Sequence, residues 1–238
     1  TSKMSSSMGD EAGLQMGVIS GKQMDEVNFE SGSSKVKAKG KKIAYIFYDN
    51  PAGKEPLPIL EDLAKAEGFE MRTFAVPAPG LEMGAQVLDI TARFKPDFII
   101  AHLFGRAPSV FIKDLKGKGF PLSKVVGLVW ASSEADIIAA GGMGVAEGYN
   151  TIQFAGVGKD YPVIRDIEAM YKTQGKTPPK EMDSTVLYNR GVLVAALHVE
   201  ALRNAIKANG GKVPTSEQVK NGMEAVKGFT LGGFVPPM

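Results

Sequence analysis

The side chains that could carry out catalysis or bind a metal are few in this sequence. There are no cysteines, which excludes disulfides, thiolate metal sites and cysteine nucleophiles. The two histidines, His102 and His198, lie far apart, and neither has a second histidine at helical spacing, so we expect no metal site. A single histidine at a strand end is more often a hydrogen-bonded core residue.

Three short motifs resemble catalytic or nucleotide-binding loops, and each lacks an essential feature. Residues 175–177 (Gly-Lys-Thr) match the end of a phosphate-binding loop, but Met170 stands where its upstream glycine belongs, and no strand precedes it. Residues 141–144 follow a predicted helix rather than a strand, so they are not a dinucleotide fingerprint. Ser132 and Ser133 lack the glycines of a nucleophile elbow. We therefore predict no catalytic residue and no cofactor.

Residues 41–154 alternate between predicted strands and helices. The strand predictions rest on runs of β-branched and aromatic residues at 43–48, 69–74, 98–103, 125–130 and 148–154. The helices between them are predicted at 55–67, 81–94 and 108–116, with a stiff loop at 77–80. This alternation predicts an α/β fold, a parallel sheet with helices on both faces. Such sheets bind ligands beyond the carboxyl ends of their strands, which points to the loops after Tyr48, Leu103 and Trp130.

The composition excludes some function classes. Of the 238 residues, 44% are hydrophobic and 23% are charged, as in ordinary globular proteins. The net charge of +2, without a basic stripe interleaved with aromatics, predicts no nucleic-acid partner. The lysine-rich run at 35–42 is more typical of a solvated linker than of a binding patch. No apolar run reaches the roughly 18 residues of a membrane span.

The two ends of the chain differ from its middle. Residues 1–40 are rich in Ser, Gly and Lys; we expect weak order there, with at most a short helix over 15–29. A helix is predicted at 161–174. Asp183 is predicted to cap a long helix reaching Ala208, whose middle is apolar on nearly all sides and should be buried between layers or at an interface. A last helix is predicted from Thr215 to Gly228.

Several motifs together resemble one known family. The segment from Lys41 to Met238 is similar to the type I periplasmic solute-binding proteins of the branched-chain amino acid ABC transporter family. The resemblance rests on the residues at 42–44 and 48–54, on Lys-Pro-Asp-Phe-Ile-Ile at 95–100, on the valine-rich 125–130, on Leu-Tyr-Asn-Arg-Gly at 187–191 and on 228–233.

The resemblance implies a clamshell of two α/β lobes that captures a small amino acid or organic acid in the periplasm or outside the cell and delivers it to a membrane permease. Residues 41–180 correspond to the ligand-binding C-terminal lobe, and residues 181–238 to a helical segment that returns to the other lobe. The family's N-terminal lobe is not recognisable in residues 1–40, so we expect a partial chain. Self-association through the exposed lobe face is expected to follow.

The resemblance also implies ligand contacts from three loops, namely Asp49, Asn50 and Ala52; Phe104 and Arg106; and Trp130, Ser132 and Glu134. Arg106 would hold a carboxylate through its planar pair of donors, and Glu134 an ammonium group. Trp130 or Phe104 would line an apolar pocket. Ala52 stands where many members have a tyrosine, which weakens aromatic stacking on a ligand.

Each of these roles has an ordinary structural alternative. Arg106 could be a surface arginine at a helix start, and Trp130 could pack in the core at the end of a strand. Glu134 could simply be favourable at a helix N-terminus. At the level of function, the alternatives are a ligand-sensing regulatory domain of the same fold and, from another class, an α/β enzyme.

Overall fold

The computed structural model describes residues 38–152 and 158–238, and in addition the backbone of four short strands within residues 3–36. The chain divides into two compact units, Thr1–Gln153 and Phe154–Met238. The predicted division at residue 180 was one of roles in the family and not of compact units. The predicted roles of the segments in ligand binding stay predictions.

The first unit is built on a seven-stranded sheet. Its strands, with a separate hairpin of β3 and β4, are β1 Lys3–Ser5, β2 Gln15–Gly17, β3 Phe29–Ser31, β4 Ser34–Val36, β5 Lys42–Tyr48, β6 Glu70–Val76, β7 Phe98–His102, β8 Val125–Gly127 and β9 Asn150–Ile152. The sheet order is β1-β2-β9-β8-β7-β5-β6. From β9 to β6 all neighbours are parallel. The predicted parallel sheet is confirmed.

The short strands near the start of the chain were not predicted. β2 pairs in parallel with β9, β1 pairs antiparallel with β2, and β3 pairs antiparallel with β4. A short helix was considered for residues 15–29. Residues 15–17 form β2 instead and residue 29 begins β3, while residues 18–28 lie outside the described part. Residues 153 and 154, expected at the end of β9, also lie outside it.

The three helices predicted between the strands are present with changed bounds, whereas the short helices at 51–54 and 143–146 were not predicted. The helices of the first unit are α1 Pro51–Lys54, α2 Leu57–Glu67, α3 Gly84–Leu88 with a π-helical continuation at Asp89–Phe94, α4 Ala107–Gly117, α5 Glu134–Ala140 and α6 Met143–Ala146. The predicted strand at 125–130 was too long. β8 ends at Gly127, where a side chain would collide with the Tyr149 hydroxyl and the Ala131 carbonyl. Val129–Ala131 then forms a 3-10 turn.

Strand β5 is buried on both sides because helices cover both faces of the sheet. Alternate side chains of a strand point to opposite faces. Ala44, Ile46 and Tyr48 join the core formed with α3, α4 and α5. Ile43, Tyr45 and Phe47 join the core formed with α2. The sequence of β5, apolar or aromatic at each of these positions, is typical of a central parallel strand.

The second unit is helical. It contains α7 Pro162–Thr173, α8 Glu181–Ser184, α9 Val186–Ala208 and α10 Ser216–Glu224. Its core is formed by Ile164, Met182, Leu193, Phe234 and Val235. Helix α7, which we had assigned to the α/β lobe, therefore packs in this unit. None of the helices in the described residues is long and apolar enough to cross a membrane.

Two helix starts in this unit differ in how well they were predicted. The prediction that Asp183 caps α9 was wrong. The cap is Thr185, which is extended and whose side-chain oxygen accepts a hydrogen bond from the Leu187 amide, 3.2 Å away. Asp183 lies in α8 and pairs with Lys159 at 3.2 Å. Thr215 caps α10 as expected, in a reciprocal capping box with Gln218.

The side chains of Tyr45 and His102 form a buried pair beneath the start of α1. The Tyr45 hydroxyl donates to the Gly53 carbonyl at 2.7 Å. It also lies 3.0 Å from His102 Nδ1. Because the single hydroxyl proton is used on Gly53, Nδ1 must carry a proton and donate to the tyrosine oxygen. Burial lowers the pKa of His102, with Glu55 acting weakly in the opposite sense, so the folded protein holds this imidazole neutral.

The first prediction concerns pH. Below the ordinary histidine pKa of 6.5 the unfolded chain protonates His102 before the folded chain does, so the free energy of unfolding falls as the pH drops through that value. The slope has an upper limit of about 1.4 kcal/mol per pH unit for one group. Urea denaturation at several pH values should show a shallower fall for His102→Gln. His198→Gln, at an exposed position, should retain the wild-type slope; equal slopes in all three proteins would contradict the prediction.

The second prediction concerns the packing of α9 against α10. A side chain at Gly222 would collide with the Ala201 carbonyl, whereas one at Gly191 would meet no atom within 4 Å. Gly222→Ala should therefore lower the free energy of unfolding by about 1–3 kcal/mol through overpacking. The matched change Gly191→Ala should raise it by about 0.5–1 kcal/mol through helix propensity. Chemical denaturation measures both, and stabilisation by both changes would contradict the close approach.

Candidate functional site

The candidate site lies at the carboxyl edge of the sheet, where the chain leaves β6, β5 and β7. An open cleft of about 260 Å³ is lined there by Tyr48, Asn50, Ala78, Pro79, Leu81, Phe104, Gly105 and Arg106. Because these neighbouring strands are parallel, the loops after them meet at one edge. Of the residues we predicted for the site, the cleft brings together Asn50, Phe104 and Arg106.

The wall of the cleft is held by Tyr48, the last residue of β5. Its hydroxyl donates to the Pro79 carbonyl at 2.7 Å, and its ring lies 4.4 Å from that of Phe104, centroid to centroid. Burial raises the pKa of Tyr48, so the phenol stays neutral. Gly80, at φ +67°, allows this packing, since a Cβ there would lie 2.8 Å from the tyrosine oxygen and 2.9 Å from the Ala107 Cβ.

The loop after β5 is fixed by short-range contacts. The Asn50 side chain caps α1, because its Oδ1 accepts from the Gly53 amide at 2.8 Å. Gly53 packs so tightly that a side chain would collide with the Tyr48 carbonyl. From beneath, the Tyr45 hydroxyl binds the Gly53 carbonyl. These contacts hold Asn50 at the rim of the cleft.

Arg106 supplies the only charge in the lining of this cleft. It is exposed at the start of α4 and follows Gly105, whose φ of +66° turns the chain at the end of the β7 loop. Its carbonyl accepts a hydrogen bond from the Ser109 hydroxyl at 2.8 Å. Within the described ranges 38–152 and 158–238, no carboxylate forms an ion pair with its guanidinium. The guanidinium is therefore available to an anion.

Two predicted residues of the β5 loop do not line the cleft. Asp49 is exposed and forms an ion pair with Lys54. Ala52 is exposed in the first turn of α1. Their contact with a ligand stays a prediction.

The predicted residues of the β8 loop do not line the cleft either. Trp130 is 59% exposed in the 3-10 turn, so it is not the core residue considered as its alternative. Ser132 is buried and its hydroxyl donates to the Val129 carbonyl. Glu134, only 5% exposed, lies in the first turn of α5 and already has an interaction partner within the protein. The β8 loop is next along the same edge of the sheet, so ligand contact by these three residues also stays a prediction.

Apart from Gly105, which lies between the predicted Phe104 and Arg106, four lining residues were missed by the sequence predictions: Tyr48, Ala78, Pro79 and Leu81. The last three belong to the loop after β6. We had described residues 77–80 only as stiff, and Leu81 was predicted to begin a helix that instead begins at Gly84. The rule that selected the loops after β5, β7 and β8 applies equally to this loop. Tyr48 was counted as the end of a strand, although an aromatic residue at the carboxyl end of a parallel strand could have been assigned to the ligand site.

Comparison with known proteins gives two matches to family models. A model described as periplasmic binding protein matches residues 29–237. A second, described as a toxin PAAR-like domain, matches residues 1–48. The second match covers residues 1–28, which lie outside the first and which we could not relate to either lobe. Comparison with curated protein sequences found no match.

Solved structures of ABC transporter proteins share the fold. One, described as an ABC transporter permease from the Pseudomonas fluorescens group, is 31% identical with a TM-score of 0.75, over 84% of this chain and 50% of that one. A branched-chain amino acid ABC transporter protein from Thermus thermophilus with bound valine is 24% identical, with a TM-score of 0.65, over 82% and 50%. A fatty acid ABC transporter substrate-binding protein from Thermomonospora curvata is 22% identical, with a TM-score of 0.63, over 84% and 49%.

The chain thus spans about half the length of the solved structures that it matches. Such coverage fits a single lobe of the two-lobed fold. The resemblance drawn from the sequence motifs is confirmed. Because the first family model matches nearly all of the chain from residue 29 onward, the chain belongs to the periplasmic binding protein family.

Proposed function

We propose that this chain supplies one wall of the solute site in an extracytoplasmic solute-binding component of an ABC transporter. The solute is a small amino acid or a related carboxylate, and the partner is a membrane permease. One observation carries the proposal: the cleft at the carboxyl edge of the sheet has an apolar wall and a single charge, the guanidinium of Arg106.

The chemistry of the cleft suits the capture of an anion with an apolar body. A guanidinium binds a carboxylate through two parallel hydrogen bonds, which are stronger than neutral ones. The buried ring of Tyr48 and the half-buried ring of Phe104 offer an apolar surface beside it. An apolar pocket with a few placed polar groups is the usual form of a small-molecule site.

The ligands named for two neighbours agree with a carboxylate. One solved structure contains valine, and another is described as a fatty acid transporter component. Valine and fatty acids share a carboxylate and an aliphatic body. These neighbours are less than 25% identical to this chain and support the proposal through the fold alone.

Binding without chemical conversion is the role that the lining residues favour. The cleft is lined by no histidine, acid, lysine or serine, so it offers no general base or activated nucleophile. The hydroxyl of Tyr48 is engaged, and burial raises its pKa, so the phenol stays protonated and is not available as a base. His102 is buried in its pair with Tyr45.

The third prediction tests the role of Arg106. Arg106→Ala should weaken the binding of a carboxylate solute by about 1.5–3 kcal/mol, the contribution of a charged hydrogen-bond partner. Because the side chain is exposed, the free energy of unfolding should hardly change. Arg93→Ala is the matched control, since Arg93 is an exposed arginine that pairs with Asp89 away from the cleft. Calorimetric affinities that are equal in wild type and Arg106→Ala would overturn the assignment.

Self-association is the second partner proposal and rests on one face of α9. Its exposed apolar side chains, between 40% and 51% exposed, are Leu187, Val194, Val199, Leu202 and Ile206. Leu187 and Val194, like Val199 and Ile206, are seven residues apart, the spacing with which one helix packs along another. An apolar stripe of this length is unusual on an isolated surface. We expect a second copy of the chain to cover it.

The fourth prediction follows from this face. Sedimentation velocity should show a concentration-dependent dimer of the wild-type chain, and the double change Val194→Glu and Leu202→Glu should abolish it. The control is Val213→Glu, since Val213 is 91% exposed and lies outside α9. A wild-type chain that remains monomeric at high concentration would contradict the prediction.

A further inference from the structure

The polar groups that line the cleft are mainly hydrogen-bond donors. The guanidinium of Arg106 has five donor hydrogens and no acceptor. The side-chain oxygen of Asn50 already accepts from the Gly53 amide, which leaves its amino group as the part with unused donors. The hydroxyl of Tyr48 donates its one proton to the Pro79 carbonyl, so it has no donor left for a ligand, and its oxygen belongs to a residue that is only 4% exposed.

The carbonyl oxygens of the lining residues are largely engaged within the protein. The carbonyl of Tyr48 accepts from the Asn50 amide at 2.7 Å, and the carbonyl of Asn50 accepts from the Lys54 amide at 3.1 Å. The carbonyls of Pro79, Arg106 and Phe104 accept from the Tyr48 hydroxyl, the Ser109 hydroxyl and the Ala107 amide. Five of the eight lining carbonyls therefore already hold a hydrogen bond within the protein.

No acidic side chain is among the residues that line the cleft. Asp49, next to Asn50, is exposed and paired with Lys54. Glu134, the residue we had predicted to receive an ammonium group, does not line the cleft; it is buried and already has a partner within the protein. An ammonium group that leaves water for this cleft would lose hydrogen bonds that the lining does not replace.

The remaining lining is apolar. Ala78, Pro79 and Leu81 form one side, and the Phe104 ring packed on Tyr48 forms another. This wall thus combines one cation and donor groups with apolar surface, and it carries no acidic side chain that could pair with an ammonium group.

We infer that the solute is an apolar monocarboxylate without an ammonium group, an aliphatic or aromatic carboxylic acid rather than an α-amino acid. The inference rests on the proposed function, because it specifies the solute of the same cleft. Arg106 pairs with the carboxylate, and the wall formed by Tyr48, Phe104 and Leu81 contacts the apolar body.

The test compares three ligands of the same shape on this chain: 4-methylpentanoate, leucine and 4-methylpentanamide. Leucine adds only the ammonium group to the acid, and the amide removes only its charge. Calorimetry gives the affinity for each ligand. NMR titration shows whether the ligand binds in the cleft, through changes in the signals of Phe104 and Leu81. We expect the acid to bind at least about tenfold more tightly than leucine, as for a ligand whose charged group is left unpaired. It should also bind more tightly than the amide.

Two variants sharpen the comparison. Arg106→Ala should remove the preference for the acid over the amide, while Arg93→Ala should preserve it. Leucine binding as tightly as the acid, or more tightly, would overturn the inference and leave solute binding intact. The amide binding as tightly as the acid would also overturn it. If none of the three ligands binds, nor the aromatic pair 3-phenylpropanoate and phenylalanine, the proposed function itself is wrong for this chain.

Discussion

Strand β5 is the element on which the rest of the first unit depends. It pairs in parallel with β6 on one side and β7 on the other, so three chain exits are brought to one edge of the sheet. The side chains on its two faces are buried in two different hydrophobic cores, one on each side of the sheet. Its last residue, Tyr48, belongs at once to a core and to the wall of the cleft. Burial of both faces therefore fixes the site as well as the sheet.

The elements that the sequence predicted well are those whose signals are local. Helix α4 was predicted at 108–116 and occupies Ala107–Gly117, because its apolar positions recur at helical spacing. Strand β5 was predicted within one residue of its observed start, because a short run of apolar and aromatic residues that ends at turn-forming residues is typical of a buried strand. The predicted bounds of an element were wrong where contacts with residues distant in the sequence accompany its end. β8 stops at Gly127, where Tyr149 and Ala131 leave no room for a side chain, and the spacing of residues 125–130 gives no indication of those distant contacts.

The candidate site was predictable in part for the same reason. The loops after strands could be named from the sheet alone, but whether a loop residue faces the cleft depends on local bonds. Asp49 has a lysine within reach on α1, and the ion pair holds it on the surface. Ser133 caps α5 by accepting from the Ala135 amide, which places Glu134 in the first turn, where an acid is favourable. Arg106 has no such partner among the described residues, and it is the charge that remains for a ligand.

The exposure of Arg106 determines how it can contribute to binding. In an open cleft water screens part of its charge, so the pair with a carboxylate is weaker there than the same pair would be in a covered site. Covering the cleft lowers the effective dielectric constant around the pair and strengthens the same hydrogen bonds. The wall formed by Tyr48 and Phe104 is already fixed, since the tyrosine hydroxyl is bound to Pro79 and Gly80 permits the close packing. A solute therefore does not have to order this wall, and the affinity gained on covering the cleft depends on how completely water is removed from the guanidinium.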